Sequence, residues 1–320
     1  MTAQPNSHSV SSETVQKNGI DCCRAGDMRA ARRRVRGWLL AGLLAVAAVL
    51  GLAPAAFAQD IIHVTPTGSD SANGSDWTTN ATSLQHALSI ATNGDEIWVA
   101  SGVYTPGLTK TATFTVTSGI QLYGGFATTE TVRTQRDWVA NPTILSGDIG
   151  GDDITVGNVV TTATNITGTN AYHVLWLDGE NGDPITTTTR IDGFTITAGN
   201  AGGGGEGGGL YCLGRGSGNA CSPSIANVLF SGNSASDGGA MFCIGTNGGA
   251  SSPSLVNVTF SGNSAGYDGG AMLSTGEYGG VSSPSLVNVT FSGNLAGYSG
   301  GAMYNNGYGD GGVSSPSLVN

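Results

Sequence analysis

Charged side chains are scarce in this chain: Lys, Arg, Asp and Glu make up 11% of its 320 residues, about half the share of an ordinary globular domain. Basic charge is scarcer still. Past residue 58 only Lys110, Arg133, Arg136, Arg190 and Arg215 remain, against nineteen acids, for a formal charge of −14. Five scattered cations build no basic patch, and the acidic excess repels phosphates, so nucleic acid is excluded as a partner and anionic lipid disfavoured. No stretch is long enough and free enough of Gly and Pro to form helical repeats. His63, His86 and His173 stand far apart, without metal-ligand spacing. There is no nucleophile elbow and no H-E-x-x-H segment. The glycines from Gly202 to Gly209 lack the lysine and the following helix of a phosphate loop.

Glycine and small polar residues stand where charge is missing, with 53 glycines in all. Such a composition suits disorder, except that disordered chains lack regularly spaced apolar residues, and this chain has them. Before they begin, Arg29, Arg32, Arg33, Arg34 and Arg36 precede an uncharged apolar run from Trp38 to Ala58 that ends Ala56-Phe57-Ala58. Basic cluster, apolar run and small-residue site together predict a secretory signal cleaved before Gln59. An uncleaved membrane anchor is the alternative, since the run is just long enough to span. Met28 offers a second start that would give a signal of ordinary length. Residues 1–58 are thus read as extension and signal. The mature part is expected outside the cell or on its surface, with no membrane insertion of its own.

The second half is periodic. Ser222-Pro223-Ser224-Ile225 returns at Ser252, Ser283 and Ser315, with the prolines 30, 31 and 32 residues apart. Phe230, Phe260 and Phe291 keep the same rhythm, as do Asn233, Asn263 and Asn294, and the Gly-Gly-Ala-Met segments at Gly238, Gly269 and Gly300. Self-similarity at this period marks a repeat architecture. Within Leu255–Phe260 the residues alternate, which predicts Leu255, Asn257 and Thr259 on one face and Val256, Val258 and Phe260 on the other. Each repeat then supplies two or three short strands separated by turns. The prediction is an all-β chain, a right-handed parallel β-helix, in which the phenylalanines stack inside and the asparagines form a ladder at a turn. Residues 59–190 are read as an N-terminal cap with irregular coils, and 191–320 as regular coils of about 30–32 residues. Ser83 to Ala91 is the one good helix, with Leu84, Ala87, Leu88 and Ala91 on a common face. It is expected to cap the first coil. Asn320 aligns with Asn288, so the repeat is expected to run on past the last residue.

Several segments resemble a known superfamily. Gly94–Tyr104 is similar to the N-terminal entry of pectate-lyase-like β-helix proteins. Leu122–Phe126, Arg136-Asp137-Trp138 and Asn141–Asp148 look like large bacterial surface proteins of that group. The pairing of Phe260-Ser261-Gly262-Asn263 with Gly269-Gly270-Ala271-Met272 resembles the polymorphic outer membrane protein repeat. The resemblance spans most of residues 60–320 and implies the fold, a cell-surface, outer-membrane-associated setting and an adhesin or scaffold role. It leaves activity open, because fold does not carry function.

A polysaccharide lyase of this superfamily would need an acidic Ca²⁺ site and a basic residue to abstract a proton. The candidates are Asp148, Asp152 and Asp153, with Asp178, Glu180 and Asp183 beyond them, and Arg136 and Arg190 among the bases. An Asp beside Gly is more often a turn residue, so a non-enzymatic reading leads, and no cofactor is required. Asp237 and Asp268 are equivalent in the repeat, but Ser299 replaces them in the next. Three cysteines follow the leader. Cys212–Cys221 is favoured as the shorter closure, Cys212–Cys243 is allowed across neighbouring coils, and three reduced thiols are the third alternative. Tyr267 and Tyr298 are equivalent turn residues, either exposed for binding a glycan or a protein on a neighbouring cell, or packed between coils. A monomer is expected.

Overall fold

The computed structural model describes residues 59–180 and 182–320, so the segment expected to be a signal and both candidate start sites lie outside the described residues. One path of eight strands runs through the whole of that region, all neighbours parallel: Ile61–Val64, Glu96–Ala100, Gln121–Phe126, Arg190–Asp192, Ser224–Ser231, Ser254–Ser261, Ser285–Ser292 and Ser317–Val319. A second, six-stranded sheet is built from Phe114–Thr115, Leu175–Asp178, Leu210–Arg215, Met241–Thr246, Met272–Glu277 and Met303–Tyr308. A third, four-stranded one runs from Asn200–Glu206 through Ser234–Asp237 and Ser264–Ala265 to Leu295–Ala296. Each regular repeat therefore contributes one strand to each sheet, and the chain is a parallel β-solenoid. The segments read as irregular and regular coils share the same continuous sheet.

Neighbouring coils pair identical residues. Ser254 faces Ser285, Leu255 faces Leu286 and Phe260 faces Phe291, and the preceding coil keeps the same register. The repeat nevertheless lengthens by a residue from one coil to the next. One added residue falls in the Gly266–Tyr267 turn and another between Tyr308 and Val313. Turns can absorb an insertion. A strand cannot, because a one-residue slip would send every apolar side chain to the wrong face.

The expected alternation within Leu255–Phe260 does not hold. Leu255, Val258 and Phe260 are all fully buried, while Asn257 is exposed and Val256 and Thr259 are partly so. The cause is Asn257 itself, whose φ of 55° is left-handed. That residue adds a half-step, so the inward set switches from odd to even positions as the strand bends outward around it. Asn227 and Asn288 sit at the same bend, each with φ 53°. Asparagine tolerates this conformation better than other residues bearing a β-carbon.

Inside the bend, the phenylalanine rings stack at 4.9 Å and 5.1 Å between centroids, within 8° of parallel. Beside them, Asn233 Nδ2 donates to Asn263 Oδ1 at 3.0 Å and Asn263 Nδ2 to Asn294 Oδ1 at 2.8 Å. Asn233 and Asn263 are wholly buried, and their side chains also accept or donate to backbone groups of adjacent coils. The helix Leu84–Ile90 is capped by Ser83, whose Oγ accepts from the His86 amide at 3.2 Å. Its Leu84, Ala87 and Leu88 enter the same core as Val64, Ile97 and Phe114 at the first coils, and Ala91 packs against that core's edge.

Truncating one member of each stack separates their contributions. Phe260→Ala should cost about 3–5 kcal/mol, as for other buried aromatic truncations. Asn263→Ala should cost about 1–3 kcal/mol by stranding the buried partners on either side. Denaturant titration of each variant measures both. A loss below about 0.5 kcal/mol, the range of ordinary surface changes, would mean that the stack or ladder contributes nothing.

Candidate functional site

The outer side of the asparagine bend carries a second ladder. Asn257 Nδ2 donates to Asn227 Oδ1 at 3.1 Å, and Asn288 Nδ2 to Asn257 Oδ1 at 2.8 Å. Asn227 Nδ2 in turn donates to Asp192 Oδ1 at 2.9 Å, so a carboxylate heads the row. A groove of about 290 Å³ opens here, lined among others by Trp138, Phe194, Thr195, Asn227, Leu229 and Asn257. Trp138 is 39% exposed at its rim.

Asp192 is 2% exposed and fully engaged. Arg136 meets Oδ1 at 2.7 Å, and Arg190 holds Oδ2 through Nε at 3.0 Å and an Nη at 2.7 Å. Burial by itself would push this carboxyl up; the donors from Asn227, Arg136 and Arg190 outweigh it and hold the group below its ordinary value. Arg136 also donates to the carbonyls of Gly124 and Asp192, and its guanidinium lies 4.8 Å from the Trp138 ring centroid. The indole is thus fixed in position by a cation that is itself fixed.

The structure brings the two candidate bases, Arg136 and Arg190, together, but on Asp192, an acid that the sequence analysis did not single out. Its position at the strand end opposite Ala226 and its pairing with distant arginines depend on coil stacking, which leaves no local mark. Asp148, Asp152 and Asp153 are also brought together, with one oxygen from each within 4.8 Å of the others. Among the described residues no hydrogen bond or ion pair joins them to either arginine. Glu180 pairs instead with Arg215 at 3.1 Å.

Asp237 and Asp268 serve the repeat itself. Asp237 Oδ1 accepts from the Asp268 amide at 3.0 Å, and Asp268 Oδ1 from the Ser299 amide at 2.9 Å. Both line a shallower groove, about 260 Å³, together with Glu206, Phe242, Leu273 and Tyr304. Burial, then the charge of Asp237, pushes the Glu206 carboxyl above its ordinary value. Tyr267 and Tyr298 are 52% and 76% exposed and stack at 5.5 Å. Cys212 and Cys221 form a disulfide, while Cys243, in register with Cys212 on the next coil, is a buried free thiol. Comparison with known proteins finds no matching family model, no matching curated protein and no matching solved structure.

Since the folded Asp192 carboxyl titrates below its unfolded value of about 3.9, it stabilises above that pH and loses its contribution as pH falls through the folded value. Urea midpoints should therefore drop steeply below about pH 4 in the wild type. Asp192→Asn, which strands the buried Arg136 guanidinium and removes a partner of the partly exposed Arg190, should cost about 3 kcal/mol at neutral pH and show a shallower acid slope. Parallel acid slopes would contradict this assignment.

Proposed function

We propose that the protein is a secreted or cell-surface binding scaffold without catalytic activity, which holds a glycan chain along the groove beside Trp138. The observation that carries this reading is the pairing of a half-exposed, rigidly held indole with a row of outward amides. Aromatic faces stack on sugar rings, and amides both donate to and accept from hydroxyls. The row repeats at the spacing of the coils, about 4.8 Å, and so suits an extended polymer better than a small metabolite.

The groups a lyase would need favour the non-enzymatic reading. Arg136 and Arg190 are both committed to Asp192, and Asp192 has its oxygens occupied. A carboxylate with four donors has no lone pair poised for a substrate proton. The Phe-x-x-Asn and Gly-Gly-Ala-Met segments support a place among the polymorphic outer membrane protein type of surface repeats, and the apolar leader supports export. The stacked Tyr267 and Tyr298 offer a second aromatic surface, suited to a protein partner.

Purified protein should bind one or more polymers in a panel of neutral and acidic polysaccharides, and release no oligosaccharide from any of them. Trp138→Ala should weaken that binding by about ten-fold, the scale of a central aromatic contact, while lowering the thermal midpoint only by the loss of its contact with Arg136. Oligosaccharide release abolished by Arg136→Ala would make the protein an enzyme and overturn the proposal. So would unchanged affinity in Trp138→Ala.

A further inference from the structure

Between the strands Thr143–Ser146 and Leu175–Asp178 the chain leaves the solenoid for a long excursion, residues 147–174. Its neck is closed by a bridge between Asp148 and Asn170 and by Ala171 donating to the Gly147 carbonyl at 2.8 Å. Its far part lies against later coils. The Val160 carbonyl accepts from Ser231 Oγ at 2.9 Å, and the Ala163 amide donates to the Gly262 carbonyl at 2.9 Å. The approach is so close that a β-carbon on Gly232 or Gly262 would collide with the carbonyls of Val160 and Thr161. The excursion is therefore a strap over the turns of the coils that follow it.

At the neck, one oxygen from each of Asp148, Asp152 and Asp153 lies within 4.8 Å of the others. Three carboxylates repel one another at that range. Asp148 and Asp153 accept backbone amides of the loop. The Asp152 carboxylate takes no hydrogen bond from the described residues, yet it folds back over Gly150 and Gly168, where either β-carbon would displace it. Asn170 supplies an independent observation. Its side chain is 2% exposed and reaches into the cluster, with Nδ2 donating to Asp153 Oδ2 at 2.7 Å. Its Oδ1 is buried without any partner. An orphaned buried acceptor is costly, and this one shares a planar amide with the nitrogen that touches Asp153.

A single hard cation would relieve all of this. We infer that Asp148, Asp152, Asp153 and the side-chain oxygen of Asn170 form a calcium site that locks the neck of the strap. The donors are all oxygens, which disfavours zinc and copper. They come from a loop that can adjust, with water completing about six to eight ligands, which favours Ca²⁺ over the rigid octahedron of Mg²⁺. The role is structural. The ion would hold the strap against the turns at Gly232 and Gly262, independently of any ligand in the Trp138 groove.

The test uses the full chain, stripped of metal, titrated calorimetrically with calcium and separately with magnesium. Its thermal midpoint and its cleavage within residues 149–169 by a nonspecific protease are then read in calcium and in chelator. One calcium per chain, a raised midpoint and slowed cleavage in that segment are expected, with magnesium much weaker. Asp152→Asn removes a ligand that makes no hydrogen bond to the fold and relieves the repulsion among the carboxylates, so it should be at least as stable as the wild type in chelator yet lose about ten-fold or more in calcium affinity. Absence of saturable binding at millimolar calcium would overturn the site. Equal affinity in Asp152→Asn, or cleavage unaffected by calcium, would do the same.

Discussion

Among the described residues neighbouring coils hydrogen-bond to one another in a register that shifts only between Trp98 and Ala100 and between Ala201 and Glu206, and the rest of the structure depends on that constraint. No single repeat has enough apolar surface to bury by itself. Stacking supplies the missing partner, residue for identical residue, so one phenylalanine per repeat becomes a column and one asparagine becomes a ladder. The register also decides where change is tolerated. Added residues gather at Gly266–Tyr267 and before Val313 because the strands between them cannot shift without turning the core outward.

The left-handed asparagines make one ribbon of sequence serve two faces. Up to Asn257 the inward residues are those that would point out after it, and the bend lets Leu255 and Phe260 share one interior. The same residue presents its own amide to the outside. The two asparagine ladders run with opposite polarity: the inner one donates toward later coils, the outer one toward earlier coils and finally to Asp192. The groove beside Trp138 exists because that outer ladder meets the Arg136–Asp192–Arg190 cluster at the edge of the regular repeats.

Scarce basic charge is concentrated in that architecture. Of the five basic side chains past residue 58, Arg133, Arg136, Arg190 and Arg215 are each paired with an acid. Most of the acids have no such partner, and the surface is correspondingly anionic. An acidic flank resists association with others like it.

The sequence by itself determined the repeat, the strand type, the helix over the first coils and the columns of Phe230, Phe260 and Phe291 and of Asn233, Asn263 and Asn294. These are legible because each follows from local period and from recurrence at equivalent positions. Other features were decided only by the tertiary structure. The switch of face at Asn257 depends on a single positive φ, and asparagine is compatible with either backbone. Asp192 becomes the centre of a cluster through arginines from other coils, with contacts up to 56 residues away in sequence. Asp148, Asp152 and Asp153 read singly as turn residues beside glycine. The loop amides of residues 151–153 fold onto Asp148 and draw the three together locally, and what the sequence does not show is the closing of the loop neck, which buries Asn170 against them. Periodicity reports what repeats along the chain. The groove and the strap are built where the repeat is interrupted, and there contact rather than pattern decides.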